Sequence, residues 1–265
     1  VIRTIVRYSI CLLVLLGVGA TSAHSTEPVP LRVLSYNIHH AEGIDRKLDL
    51  PRIAQVIQAA RADLVALQEV DQNVERSNSI DQPAELARLT GLHSYFGANI
   101  ELQGGRYGNL ILSRFPIIER QNFSLPRMNA GEQRGVIVAE IQLPNRDQHL
   151  TFMATHLDHR RPADERLASA VFINKLVNEV RGPALLAGDL NDTFDSPTLD
   201  ELEKSWKHVT EHPLATIPVS QPSRQIDFIL YRPQHNWTVV ETRVLDEATA
   251  SDHRAIVTEL VLPNL

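Results

Sequence analysis

Several apolar stretches each end on, or abut, a group that can hold a cation or move a proton. Asn37 follows LRVLSY, Glu69 follows LVALQ, and His156 follows LTFMAT. Asp189 and Asn191 close LLAGDLN, Asp227 interrupts QIDFILY, and Asp252 and His253 precede AIVTELVL. Carboxylate and amide oxygens are hard donors suited to a divalent cation such as Mg²⁺. Paired with imidazole they do acid–base work. One Asp or Asn at a strand end is usually a turn residue, and a lone His is usually structural. The set is harder to dismiss. Glu69 follows a mostly apolar run and Asp227 sits between Ile226 and Phe228. Burying carboxylates there is costly unless a cation or an imidazolium pairs with them.

The stretch ATHLDHR, 154–160, poses a separate question, because a histidine at Ala154 would complete a zinc-hydrolase pattern. Ala154 cannot coordinate metal, and a zinc hydrolase needs more imidazole ligands than this motif offers. GDLND at 188–192 likewise lacks the histidine-bearing partner motifs of a two-metal phosphatase.

Elements that position these groups can be read from periodicity. Nine short runs rich in Val, Ile and Leu are expected as strands: 31–38, 63–70, 108–114, 135–143, 149–157, 184–191, 225–231, 237–245 and 255–262. Four helices are expected. One covers 49–61, with Asp49 as N-cap and Pro51 in the first turn. A second lies between Asp81 and Gly91. A third, 162–180, carries Leu167, Val171, Leu176 and Val180 as its apolar stripe, and a fourth opens at Ser196-Pro197. Nine strands with four helices do not suit a doubly wound parallel sheet. They suit an α/β sandwich of two sheets packed face to face with helices outside. No linker or repeat interrupts 31–265, so a single domain is expected there.

The blocks LRVLSYNI, LVALQEV, GNLILSR, ATHL, LLAGDLN, QIDFIL and SDHRAIV, in this order, resemble the endonuclease/exonuclease/phosphatase superfamily. That group includes pancreatic-type deoxyribonucleases, abasic-site endonucleases and bacterial sphingomyelinases. The resemblance implies a four-layer α/β sandwich of two mixed sheets and a Mg²⁺-dependent phosphoesterase, with Mn²⁺ as a possible substitute. It implies metal-site roles for Asn37, Glu69 and Asp252, with Asp189 as the base toward the attacking water. Asn191 would orient water or phosphate. Asp227 would fix His253 as a transition-state-stabilising imidazolium, and His156 would bind phosphoryl oxygens or assist the leaving group. Asp158 and His159 either line the site or belong to a solvated loop. A non-catalytic binding protein on the same scaffold is the competing class; it would be expected to have lost some of these groups.

Arg76, Arg106, Arg134, Arg160, Arg161 and Arg224 lie near the motifs, and the guanidinium fork suits phosphate. About half of them would be ordinary surface charge. Of these, Arg76, Arg106 and Arg134, with Tyr107 and Asn109 of the GGRYGN loop, are candidate substrate contacts. Nothing selects DNA, RNA, a phospholipid head group or a soluble ester. The net charge is −6 and no basic tract advertises a polyanion. That gives a mild preference for a small or lipid-linked diester, with a secreted nuclease as the alternative.

The N-terminus reads as a secretory signal. Arg3 and Arg7 precede the apolar run 10–20, and small residues follow up to Ala23. The run is short for a membrane span. Cleavage near Ala23 would remove two positive charges and leave the net charge at −8. It would also remove Cys11, the sole cysteine, leaving no thiol chemistry. Export to the periplasm or medium as a monomer, without a stable membrane span, is the expectation.

Overall fold

A computed structural model describes residues 28–263 other than 129, 145 and 147. The expected signal, 1–23 with Cys11, lies outside the described residues.

Period-two runs become strands of two six-stranded sheets. The first contains β1 (Val29–Asn37), β2 (Leu64–Gln72), β3 (His93–Leu102), β4 (Gly105–Ser113), β11 (Thr238–Val244) and β12 (Ile256–Leu262), in the order β11-β12-β1-β2-β4-β3. The second contains β5 (Ile117–Ser124), β6 (Gly135–Ile141), β7 (Leu150–His156), β8 (Ala184–Asp189), β9 (Lys207–His208) and β10 (Asp227–Tyr231), in the order β5-β6-β7-β8-β10-β9. Both sheets are mixed: β1–β2 and β7–β8 run parallel, and the other pairs are antiparallel.

Strand alternation separates two sets of apolar residues. Leu31 and Val33 of β1, Leu64 and Ala66 of β2, Phe152 and Ala154 of β7, and Leu185 and Ala187 of β8 fill the layer between the sheets. Leu34 and Tyr36, with Val65 and Leu67, point the other way and pack under α1 (Leu50–Ala60) and α2 (Gln82–Thr90). Met153 and Leu186 pack under α3 (Asp164–Asn178) and α4 (Pro197–Leu202). The result is the expected four-layer α/β sandwich. Among the described residues no helix is long and apolar enough to cross a membrane.

The expected helix starts hold. Asp49 accepts from Arg52 N at 2.9 Å, Asp81 from Ala84 N at 3.0 Å, and Ser196 from Leu199 N at 3.3 Å, each with a proline in the first turn. Three strands escape the sequence pattern: β3, β5 and β9. All three are sheet edges, and an edge strand with one solvated face carries little apolar signal. The apolar stripe expected on the third helix holds in part: Leu176 and Val180 pack against the core, but Val171 is 50% exposed, and the buried face runs through Arg166, Ala170, Ile173 and Val177. That face is disguised because Glu165 and Arg166 are buried through ion pairs to Arg160 and Asp192.

Candidate active site at the rim of the inter-sheet layer

The polar residues continue the inward-facing rows. Asn37 lies two residues beyond Ser35 and four beyond Val33, His156 two beyond Ala154, and Asp189 two beyond Ala187. Asp227 lies two before Ile229, on a strand antiparallel to β8 and directly opposite Asp189. At one rim the apolar layer therefore ends in carboxylates, an amide and an imidazole. The segment Ser251–His253 reaches the same rim because β12 enters antiparallel to β1, and Ser251 Oγ donates to Asn37 O at 2.7 Å.

Glu69 gets there by a different route. Strict alternation would put it with Val65 and Leu67 under the helices. A β-bulge between Leu67 and Val70 inserts one residue, and Glu69 takes a left-handed φ of 60°. Val70 then returns to the helix side. A non-glycine residue in this region costs on the order of 1–2 kcal/mol. β2 also runs on to Gln72, past the expected end of the strand.

The groups form a hydrogen-bonded run. Asn37 Nδ2 donates to Glu69 Oε1 at 3.0 Å and to Asp189 Oδ2 at 3.1 Å, while its Oδ1 accepts from His39 N at 3.1 Å. Asn191 N donates to Asp189 Oδ1 at 2.9 Å. His156 Nε2 lies 3.0 Å from Asn191 Nδ2 and 3.5 Å from Asp189 Oδ2. His253 Nδ1 pairs with Asp227 Oδ2 at 2.9 Å, and its Nε2 faces Asp189 Oδ2 at 3.8 Å. Thr216 Oγ1 donates to the same Asp227 oxygen at 2.6 Å. Asp252 is half-buried beside this pair, and its Oδ1 accepts from Ser251 Oγ at 3.3 Å.

Burial and charge push the titrations apart. Burial raises Asp189 to about 7, helped by the Asp227 charge and opposed by His253 and the amide donors. Burial works against protonated His253, but Asp227, Asp189 and Asp252 together outweigh it and lift the imidazole to about 10. His156 goes the other way: burial, then Arg134, His253 and His159, hold it well below its ordinary value and therefore neutral. A base near neutrality, an imidazolium and a neutral imidazole thus share one rim.

Ligand atoms of Asp189, Asp227 and His253 lie within 4.8 Å of one another, close enough to suggest a metal group. Asp227 Oδ2 already pairs with His253 Nδ1 at 2.9 Å and accepts from Thr216 Oγ1 at 2.6 Å. Glu69, Asn37 and Asp252 offer hard oxygens instead, and the bulge holds Glu69 half-buried at the rim.

The expected substrate contacts fare differently. The GGRYGN segment is not a loop: a turn at Gln103-Gly104, both at positive φ, leads straight into β4. Tyr107 and Asn109 share the inward face with Ile111, whereas Arg106 is exposed on the opposite face of the strand. Asn109 Nδ2 spends a donor bridging the sheets to Gly135 O at 3.0 Å. Arg76 forks onto fully buried Asp71 with two 2.9 Å bonds, its guanidinium 5.4 Å from the Tyr107 ring centroid. Arg134, only 4% exposed, reaches His156 Nδ1 and His159 Nδ1 at 3.2 Å each and pairs with Glu132 at 2.8 Å. Arg160 ties Asp158 to Glu165, while Arg161 and Arg224 lie on the surface. Sequence reasoning misses Thr216 and Arg166. Thr216 sits in an irregular segment without a pattern, whereas Arg166, seven residues after His159, could be flagged as a charge inside a helix face.

Two stacked mixed sheets thus carry an acid–imidazole rim at one end. The Endonuclease/Exonuclease/phosphatase family model matches residues 34–253, and the chain belongs to that family, whose members are phosphoester hydrolases. The chain is 29% identical over 199 residues to the uncharacterized protein YbhP of Escherichia coli K12, covering 71% of this chain and 72% of that one. An endonuclease/exonuclease/phosphatase structure from Beutenbergia cavernae superposes with a TM-score of 0.74 at 26% identity, over 88% of this chain and 72% of that one. Mannosyl-6-phosphatase Bt3783 of Bacteroides thetaiotaomicron superposes at 0.73 and 21% identity, over 87% of this chain and 99% of that one, a likeness of fold.

Proposed function

We propose that this chain is a divalent-metal-dependent phosphodiesterase that hydrolyses its ester by in-line attack of water. The observation that carries the reading is the continuous run Glu69–Asn37–Asp189, with His253–Asp227 facing Asp189. Glu69, Asn37 and Asp252 would hold the cation, Mg²⁺ or Mn²⁺. When bound it supplies charge neutralisation at phosphate and acidifies water.

The chain's own groups do the rest. Asp189, half-deprotonated near neutrality, accepts the proton of the attacking water, and the Asn191 amide orients that water or the phosphate. His253, kept protonated by Asp227, donates from Nε2 to the phosphoryl oxygens as charge builds on them. Neutral His156 supplies a further contact beside the leaving oxygen.

Hydrolysis of bis(p-nitrophenyl) phosphate with Mg²⁺ or Mn²⁺ tests this. The activity is expected to vanish with chelator and to fall at least a hundredfold in Glu69→Ala and His253→Ala. Full activity in those folded variants refutes the assignment. A panel of plasmid DNA, oligonucleotides, sphingomyelin, phosphoinositides and sugar phosphates then ranks substrates. Ligand binding without turnover would favour a non-catalytic role. We also infer export, from the basic and apolar pattern of residues 1–23. N-terminal sequencing of the exported protein is expected to begin near His24; protein retained in the cytoplasm at full length contradicts it.

A further inference from the structure

We propose that His159 is a second imidazole that contacts the substrate, with Arg134 as the residue that sets its tautomer. This rests on the phosphoester reading above. The H-x-D-H motif leaves Asp158 and His159 without a role in that reading, yet the loop carrying them is heavily fixed. Arg166 donates to the carbonyls of Asp158 at 3.0 Å and Arg160 at 2.5 Å, and pairs with Asp192 at 3.0 Å. Asp192 is itself held by Thr198 Oγ1 at 2.8 Å. Buried Asp158 takes Arg160 Nε on both oxygens at 3.0 Å. A solvated loop has no need of such anchoring. Its outcome is an exposed imidazole held at the edge of the site.

One guanidinium joins the two histidines: Arg134 Nη1 to His156 Nδ1 and Nη2 to His159 Nδ1. Arginine has only donors. The Nδ1 it touches on His159 must therefore carry the lone pair, and the proton sits on Nε2, which takes no other hydrogen bond among the described residues. His159 thus presents an Nε2–H donor outward.

One guanidinium thus couples the exposed His159 to His156, whose Nε2 stands 3.5 Å from Asp189 Oδ2 at the rim. In this proposal His159 Nε2 holds a non-bridging oxygen of a phosphate bound at that rim. Arg134 acts through the histidines, so it positions and does not itself touch the ester.

Long-range ¹H–¹⁵N NMR on the metal-free full chain reads the tautomer directly. His159 is expected as the Nε2–H form, becoming a mixture in Arg134→Gln. Titration with inorganic phosphate is expected to shift the His159 Nε2 resonance. With bis(p-nitrophenyl) phosphate, His159→Ala is expected to raise KM about tenfold, with kcat changed less than threefold. His159→Gln, which keeps an amide donor, is expected to recover part of that loss. An Nδ1–H tautomer in the wild type, no phosphate response, or an unchanged KM in His159→Ala each overturns the proposal. If the wild type hydrolyses no ester while the tautomer and the phosphate response are as expected, the proposed activity fails and the His159 phosphate contact stands.

Discussion

Replacing Asp227 by Asn removes one charge and leaves an oxygen to accept from His253 Nδ1. In the wild type Asp227 is fully buried and is the foremost group lifting His253 to about 10 from its ordinary 6.5. A raised folded-state pKa means the folded chain holds a proton that the unfolded chain has released. The stabilisation is fully present below pH 6.5 and drains away as the pH climbs toward 10. Over that window the slope is about 1.4 kcal/mol per pH unit, and the 3.5-unit interval from 6.5 to 10 amounts to about 5 kcal/mol. That rivals the whole stability of a modest domain. The assay is urea unfolding of metal-free protein at half-unit steps from pH 6 to 10, with Asp227→Asn alongside. Ionisations remote from Asp227 cancel in the difference, and Asp189, which also feels the Asp227 charge, adds its own change around pH 7. The variant is expected to lose most of the slope, and the NMR titration of His253 to move down by two units or more. Parallel stability curves, or a wild-type His253 titrating near 6.5, would refute the reasoning about the dyad.

Three further outcomes follow from the same geometry. Asp189→Asn is expected to abolish hydrolysis yet stabilise metal-free protein at pH 8 by about 1–2 kcal/mol, since burial disfavours that ionised carboxylate; a lower urea midpoint would contradict it. Arg76→Met leaves the buried Asp71 carboxylate unpaired and is expected to cost about 3 kcal/mol, with Asp71→Asn in the same chain restoring most of it; a purely kinetic defect would instead place Arg76 on the substrate. Phe152→Ala opens the layer between the sheets and is expected to cost about 3–5 kcal/mol in urea unfolding; a loss under 1 kcal/mol would mean the layer closes over the gap.

The sequence by itself determined the architecture and most of the rim. Inward rows such as Val33–Ser35–Asn37 and Phe152–Ala154–His156 obey period-two alternation, so the last member of each row must stand at the end of the layer its predecessors fill. Capping residues and prolines did the same for the helix starts. Edge strands β3 and β5 stayed illegible because only one residue of β3 and none of β5 is fully buried. Tertiary structure alone decided the rest. The bulge at Glu69 breaks alternation, and no local pattern announces it. Which arginines stay available for a ligand depends on partners far away in the chain: Arg76 is claimed by Asp71, and Arg134 by His156 and His159. Proton affinities are likewise collective, since the burial and neighbouring charges that separate Asp189, His253 and His156 exist only once the two sheets have closed on one another.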